Sequence, residues 1–213
     1  MAETLDDVGA IILAAGQSTR MGKPKLLLPL SDKPVIRHVT EAAIVAGIAQ
    51  VVIVTGPHSE AIAEAVRGLA VQLVPNPDFV AGEMLSSIQI GLRAMPDDVN
   101  GALIMLGDQP SVPSTTIRAL ADVLRNGGCI CQPTYGGRRG HPIGIARRYW
   151  GEILGLGRDQ SLRTFMNRHR DEVVLIPSQD AGVLEDMDTP EDYRRMLERW
   201  TARASKGEET GHA

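Results

Sequence analysis

Strand-length runs of continuously apolar residues, most of them β-branched, recur through this chain with amphipathic stretches between them. They fall at residues 8–13 (broken only by Gly9), 50–54 (opening on Gln50), 71–74 (broken by Gln72), 102–106, 129–131 and 173–176. A strand with one wet face alternates apolar and polar residues. These runs do not alternate, so each reads as buried on both faces, the pattern of a mostly parallel sheet covered by helices on both sides. The intervening stretches carry helical signals. Residues 35–46 set Val35, Val39, Ala42, Ala43 and Ala46 on one stripe and meet Gly47, suited to a C-terminal cap. Residues 59–67 open on Ser59, 85–94 stop short of Pro96, 115–125 follow Ser114 as a cap, and 161–168 form a further segment. The last, 190–200, has Thr189 as N-cap and Pro190 in the first turn. Strand–helix alternation of this kind means an α/β fold with right-handed crossovers. No repeat or linker divides the chain. We expect one domain over 8–200, an N-terminal extension over 1–7, and a polar, disordered tail over 201–213.

Composition narrows the function. Only 3 % of the 213 residues are aromatic, which argues against a platform that stacks bases, and a formal charge of −4 argues against a sequence-independent grip on nucleic acid or anionic membrane. No apolar run approaches the roughly 18 residues that span a bilayer. Residues 1–7 carry three acids and no base, unlike a signal peptide. Cys129 and Cys131, two apart, would point to opposite faces of a strand and match no zinc spacing. They read as buried thiols in a reducing compartment, and we expect a cytoplasmic protein that binds neither nucleic acid nor membrane.

The most informative stretch is Ile11-Ile12-Leu13-Ala14-Ala15-Gly16-Gln17-Ser18-Thr19-Arg20-Met21-Gly22-Lys23-Pro24-Lys25. A buried strand runs into small residues and then into a loop with two glycines and three bases. Ligands of open α/β sheets bind at the carboxyl ends of strands. Small residues there let backbone N–H groups approach an anion, and Arg20 and Lys25 add charge for phosphate oxygens. This is not a Walker A loop, because five residues separate Gly16 from Gly22 and Pro24 follows Lys23. Nor is it GxGxxG, and Gly155-Leu156-Gly157 lacks the third glycine.

Further candidates follow the other strands. Asp108, after the run 102–106, can hold a hard cation such as Mg²⁺ or can cap an Asx turn. Asp186 and Asp188, at i and i+2 of extended chain, point the same way, and either can join Asp108, while Asp188 and Thr189 are also placed to cap the last helix. Gly82 allows close approach, and Ser86 and Ser87 either donate to a ligand or serve the first turn of a helix. Arg138, Arg139 and His141 lie in Tyr135-Gly-Gly-Arg-Arg-Gly-His-Pro, which reads as a mobile cationic loop able to grip a bulky anion.

The segment Leu13 to Pro29 resembles the LAAGxSxRMGxxKxLLP signature of the MobA-like nucleotidyltransferases, and the molybdenum cofactor cytidylyltransferase (MocA) branch is the nearer match within them. Leu106-Gly107-Asp108-Gln109-Pro110, Arg139-Gly140-His141-Pro142 and Asp186-Met187-Asp188-Thr189-Pro190-Glu191-Asp192 extend the resemblance over about residues 8–200. It implies a Rossmann-like three-layer nucleotidyltransferase fold with a mostly parallel central sheet. It also implies transfer of a nucleoside monophosphate from an NTP to a phosphorylated acceptor with Mg²⁺, or Mn²⁺ in its place. The resemblance assigns Leu13, Ala14, Ala15, Gly16, Arg20, Gly22, Lys25, Gly82 and Ser86 to the nucleotide. Arg20, Lys25 and Asp108 become catalytic, Asp108 and Asp188 hold the metal with Asp186 in reserve, and Arg138, Arg139 and His141 face the acceptor. Ala15 stands where guanylyltransferases carry glycine, which narrows the space beside the base and favours CTP. Molybdopterin bearing molybdenum is then the acceptor and a molybdenum hydroxylase the client. A guanylyltransferase, a sugar-phosphate nucleotidyltransferase and a non-catalytic maturation chaperone are the alternatives, and oxidoreductases occur in the same neighbourhood.

Overall fold

The computed structural model describes residues 4–18, 21–79 and 84–209, with side chains as far as 202. The chain begins with β1 (Leu5–Ala14), the short hairpin strands β2 (Pro29–Leu30) and β3 (Lys33–Pro34), α1 (Val35–Val45), β4 (Ile48–Thr55), α2 (Ser59–Ala65) and β5 (Gln72–Pro75). It continues with α3 (Met84–Ala94), β6 (Gly101–Leu106), α4 (Ser114–Arg125), β7 (Ile130–Tyr135), β8 (Arg138–Arg139) and β9 (Ile143–Ala146). It closes with α5 (Trp150–Leu154), α6 (Leu162–Arg168), β10 (Val173–Pro177) and α7 (Pro190–Glu209).

The main sheet has the order β10-β7-β9-β6-β1-β4-β5, with β8 paired to β7. β1 lies between β4 and β6 and is parallel to both, β5 is parallel to β4, and β10 is parallel to β7. β9 runs against β6 and β7, and β8 against β7. The sheet is therefore mostly parallel, as the unbroken apolar runs require. β1 shows why those runs do not alternate. Val8, Ala10, Ile12 and Ala14 enter the core shared with α1 and α4, whereas Ile11 enters the core shared with α3, α5 and α6. Both faces of the strand are dry, and the result is three layers.

Several expectations change. Leu5 is fully buried in β1, so residues 5–7 are sheet and not an extension. α7 runs on to Glu209, nine residues past the expected end at 200. α4 starts at Ser114 itself with Pro113 as its N-cap, and Ser59 is the first residue of α2, its hydroxyl 3.0 Å from that of Thr55. Ser161 does cap α6, through a reciprocal box with Thr164. Thr189 caps α7: the Asp192 N–H donates to Thr189 Oγ1 at 3.2 Å, and the Asp192 carboxylate accepts from the Thr189 N–H at 2.9 Å. Cys131 is buried, which pushes its thiol up to about 12, but Cys129 is only half-buried. Among the described residues no helix is long and apolar enough to cross a membrane.

A third, small cluster joins α7 to the hairpin before α1. Met187 and Met196 pack with Leu30 and Val35, and the Tyr193 hydroxyl donates to the Pro29 carbonyl at 2.6 Å. The C-terminal end of the chain is thereby returned to the region that follows β1.

On the far flank His169 joins α5 to the turn before β10, with its ring nitrogens 2.6 Å from Glu172 and 2.7 Å from Glu152. The bond to Glu172, and then that to Glu152, hold the imidazole above its ordinary pKa against partial burial. A raised folded pKa stabilises fully below the unfolded value and is lost as pH rises through the folded one. We therefore expect His169→Ala to lower the melting temperature more at pH 6 than at pH 9, read by thermal unfolding at both. An equal loss at both would contradict the ion-pair account.

Candidate active site

The chain steps from β1 outward to β4 and β5, then returns to the other side of β1 as β6. Such a reversal opens a crevice at the carboxyl ends of the strands. A cavity of about 570 Å³ lies there, with Leu13, Ala15 and Gly16 from the end of β1 and Leu106 and Asp108 from the end of β6 in its wall.

Two neighbouring glycines let the turn after β1 sit so deep. The Gly107 N–H donates to the Leu13 carbonyl at 3.1 Å, and a Cβ on Gly107 would lie 2.7 Å from that oxygen. A Cβ on Gly56 would lie 2.5 Å from the Ala15 carbonyl oxygen. The backbone at Gly56 therefore packs directly against the backbone at Ala15, an approach that a side chain at 56 would prevent. Ala14 is buried on the far face of β1 in the core beside α1, and Gly22 is exposed with φ +64°. Neither lines the cavity. Arg20 and Gly82 lie outside the described residues.

Lys25 opens a single 3₁₀ turn, its N–H donating to Ser18 Oγ at 3.1 Å. Its ammonium reaches across the cavity floor, donating to Asp108 Oδ2 and, at 2.9 Å, to Asp188 Oδ1. Asp186 and Asp188 both line the cavity because Met187 between them is fully buried in the cluster with Leu30 and Met196. Alternation in extended chain then turns the two carboxylates the opposite way. The Asp186 carboxylate accepts from Gln109 Nε2 at 2.5 Å, and the amide oxygen of this buried glutamine, Oε1, has no partner among the described residues.

Three carboxylates and one ammonium therefore share the cavity wall. Burial works against the charge of Lys25, but Asp108 and then Asp188 outweigh it and hold the amine above its ordinary pKa. Burial, with the charge of Asp186, pushes the Asp108 carboxyl upward despite Lys25. The two directions agree: the site holds more negative charge than its ammonium neutralises. Hard oxygen donors with surplus charge suit a divalent cation that keeps phosphate oxygens and waters as its other ligands. Among the described residues no three acidic, histidine or cysteine side chains form a ready-made cage, so the protein alone supplies an incomplete shell.

His141 stands beside this group. Its N–H donates to the Val183 carbonyl at 2.9 Å, which joins it to the strap carrying Asp186. Burial holds the imidazole below its ordinary pKa, against the opposing pull of Asp186 and Asp108, so it is neutral near pH 7. Arg138 and Arg139 do not form a mobile loop. Gly136 and Gly137, at φ +56° and +76°, make the tight turn of a hairpin in which Arg139 pairs with Thr134 and Arg138 with Tyr135. Both arginines are exposed and neither lines the cavity. Ser87 lines the cavity and Ser86 does not. Both hydroxyls accept from Asn76 Nδ2 at 3.0 Å, which fixes the start of α3 to the end of β5. Gln17, Leu26, Phe79 and Met84, within stretches the sequence marked but not singled out as site residues, complete the walls.

A small-residue turn at the end of a central parallel strand, opposed by Asp108 after the next strand and by Asp186 and Asp188 from the strap before α7, is a ligand crevice of the kind that open α/β sheets form at the carboxyl ends of their strands. The chain belongs to the MobA-like NTP transferase domain family, whose profile matches residues 10–173. It is 26 % identical over 197 residues to molybdenum cofactor cytidylyltransferase of Escherichia coli (strain K12), covering 91 % of this chain and 97 % of that protein. It is 30 % identical over 202 residues to nicotine blue oxidoreductase of Paenarthrobacter nicotinovorans, covering 89 % of this chain and 96 % of that one. The crystal structure of Rv0371c from Mycobacterium tuberculosis H37Rv superposes with a TM-score of 0.81 at 30 % identity, covering 92 % of this chain and all of that one. A manganese complex of the same protein gives a TM-score of 0.74, over 90 % and 98 % of the two chains.

The backbone clamp on Ala15 has a direct consequence. Gly56→Ala is expected to cost about 1–3 kcal/mol by overpacking. Gly16→Ala meets nothing within 4 Å and is expected to change stability by no more than about 0.5 kcal/mol. Denaturant unfolding of the two variants checks this, and equal losses would contradict it.

Proposed function

We propose that this protein is a cytidylyltransferase that moves CMP from CTP onto the phosphate of molybdenum-bearing molybdopterin and releases pyrophosphate. The observation that carries the reading is the convergence of Lys25, Asp108 and Asp188 on one cavity directly beside the Gly16 turn. The similarity to the E. coli cytidylyltransferase over nearly its whole length supports the acceptor.

In this reading an oxygen of the acceptor phosphate attacks the α-phosphorus of CTP, and the bond from that phosphorus to the β-phosphate oxygen breaks. A phosphate nucleophile is already ionised near neutral pH, so no general base is required. The neutral His141 suits a hydrogen-bonding role toward the acceptor rather than proton removal. Catalysis is then positioning and charge neutralisation. Backbone N–H groups of the turn at Ala15 and Gly16 hold the triphosphate, with Arg20, Gly22 and Gly82 as further contacts assigned by the resemblance. Lys25 neutralises the phosphates. The divalent cation, Mg²⁺ or Mn²⁺, would be held by Asp108 and Asp188 and supply charge stabilisation to the triphosphate. Ser86 acts through Asn76 on the start of α3, and Arg138 and Arg139 are assigned to the acceptor by the resemblance. Ala15, in place of the glycine that guanylyltransferases carry, leaves less room beside the base and favours a pyrimidine. A molybdenum hydroxylase would receive the product.

Pyrophosphate release with molybdenum-loaded molybdopterin, Mg²⁺ and each of CTP, GTP, ATP and UTP tests this. We expect release with CTP alone and a loss of at least about a hundredfold in Asp108→Asn, the scale of one electrostatic contact at a transition state. Release with GTP alone would overturn the base assignment. A second reading, oxidoreductase, is favoured by the 30 % identity to nicotine blue oxidoreductase. It predicts turnover of nicotine blue with an added redox partner that supplies or takes up its electrons, and no pyrophosphate formed, read by the dye's absorbance in the same preparation.

A further inference from the structure

Lys25 stands in an unexpected place for a residue that serves phosphates. Its ammonium is bonded at once to Asp108 Oδ2 and to Asp188 Oδ1, the pair assigned above to the divalent cation. The group is largely enclosed, with side-chain exposures of 16 % for Lys25 and 13 % for Asp108, and 36 % for the outer carboxylate of Asp188. A cation such as Mg²⁺ lies about 2.1 Å from each oxygen that binds it. An ammonium in hydrogen-bond contact with the same two oxygens fills that space, so the two cations exclude one another.

We propose that Lys25 is an internal placeholder that keeps the Asp108–Asp188 pair closed to free divalent metal and yields it when a polyphosphate arrives. The proposal rests on the reading of the cavity as an NTP site. The chain is built to permit the exchange. The Lys25 N–H is fixed by Ser18, so the backbone need not move. The four-carbon stem carries a point charge that makes equally good contacts in many directions. Removing the ammonium from two carboxylates is unfavourable unless it gains other anions and a cation takes its place. A triphosphate carrying its own metal supplies both together. Metal alone supplies only the replacement and leaves the ammonium stranded. A monophosphate offers the ammonium fewer oxygens. Lys25 thereby couples metal loading to the triphosphate and selects against free metal and against nucleotides lacking the β- and γ-phosphates.

The test uses Mn²⁺ alone, with no nucleotide or acceptor, and reads free Mn²⁺ by electron paramagnetic resonance during titration. Lys25→Met is expected to bind Mn²⁺ at least about tenfold more tightly than the unaltered protein, within the usual range for coupled sites. Lys25→Arg, which keeps the cation, is expected to bind as weakly as the unaltered protein. Adding Asp108→Asn to Lys25→Met is expected to abolish the gain. Equal or weaker binding by Lys25→Met would overturn the proposal, as would a gain that survives loss of Asp108. Should Lys25→Met not fold, the unaltered protein is treated briefly with acetic anhydride and its peptides are read by mass spectrometry. Saturating Mn²⁺ is expected to raise acetylation of Lys25 severalfold relative to the exposed Lys23. An unchanged ratio would overturn the proposal. Because neither assay contains an NTP, a failure of CMP transfer leaves these outcomes unaffected and is seen separately in pyrophosphate release.

Discussion

The ion pairs of Lys25 with Asp108 and Asp188 tie together three parts of the chain that are remote in sequence, 83 and 163 residues apart. Each partner arrives by a different structural route. Lys25 comes from the turn after the central strand, Asp108 from the end of the strand beside it, and Asp188 from a strap that returns from the far edge of the sheet. The strap is held by Met187 in the small cluster with Leu30, Val35 and Met196, and by the α7 cap at Thr189. Truncating Met187 would leave the fold's two main cores untouched and still displace a carboxylate at the cavity. The sheet, the clamp on Ala15 and the docking of α7 all serve to bring these charges within contact.

Charge is unevenly matched there. Three carboxylates face one ammonium, and Asp108 is pushed toward protonation by burial and by Asp186 even with Lys25 in contact. A site left this way is unfavourable on its own and is completed by a ligand that brings positive charge. On the function proposed above, a metal–triphosphate complex would do so while offering oxygens to Lys25, and the electrostatic imbalance that costs stability in the free protein would favour the loaded state.

The layered fold was legible because its signal is physical. Both faces of β1 are dry, so residues 8–13 could not alternate, and helices had to cover both sides. β9 was not legible. It is four residues long with Gly144 inside it, too short and too weak in strand character to separate from a loop. The Gly136-Gly137 pair was read as mobility when it is the tight turn of a hairpin, since positive φ serves either purpose and only the pairing of Arg139 with Thr134 distinguishes them. Within the cavity, charged residues on strand ends announced themselves, and Asp108, Asp188 and Lys25 are together. Leu26, Phe79 and Met84 did not, because an apolar wall residue looks in sequence like any other core residue. Ser87 rather than Ser86 reaches the cavity, a difference of one residue on a helix that sequence periodicity does not resolve. The contact between Lys25 and the two carboxylates was also hidden, because residues 83 and 163 positions apart are brought together only by the fold.

The most direct measurement is a crystal structure of the protein with Mg²⁺ and a CTP analogue that cannot be cleaved between the α- and β-phosphates. We expect the triphosphate against the backbone of Ala15 and Gly16, a metal ion on Asp108 and Asp188, and the Lys25 ammonium on phosphate oxygens and no longer on the carboxylates. A nucleotide bound elsewhere, or bound here with Lys25 still bridging Asp108 and Asp188, would contradict the assignment of this cavity and of its charges.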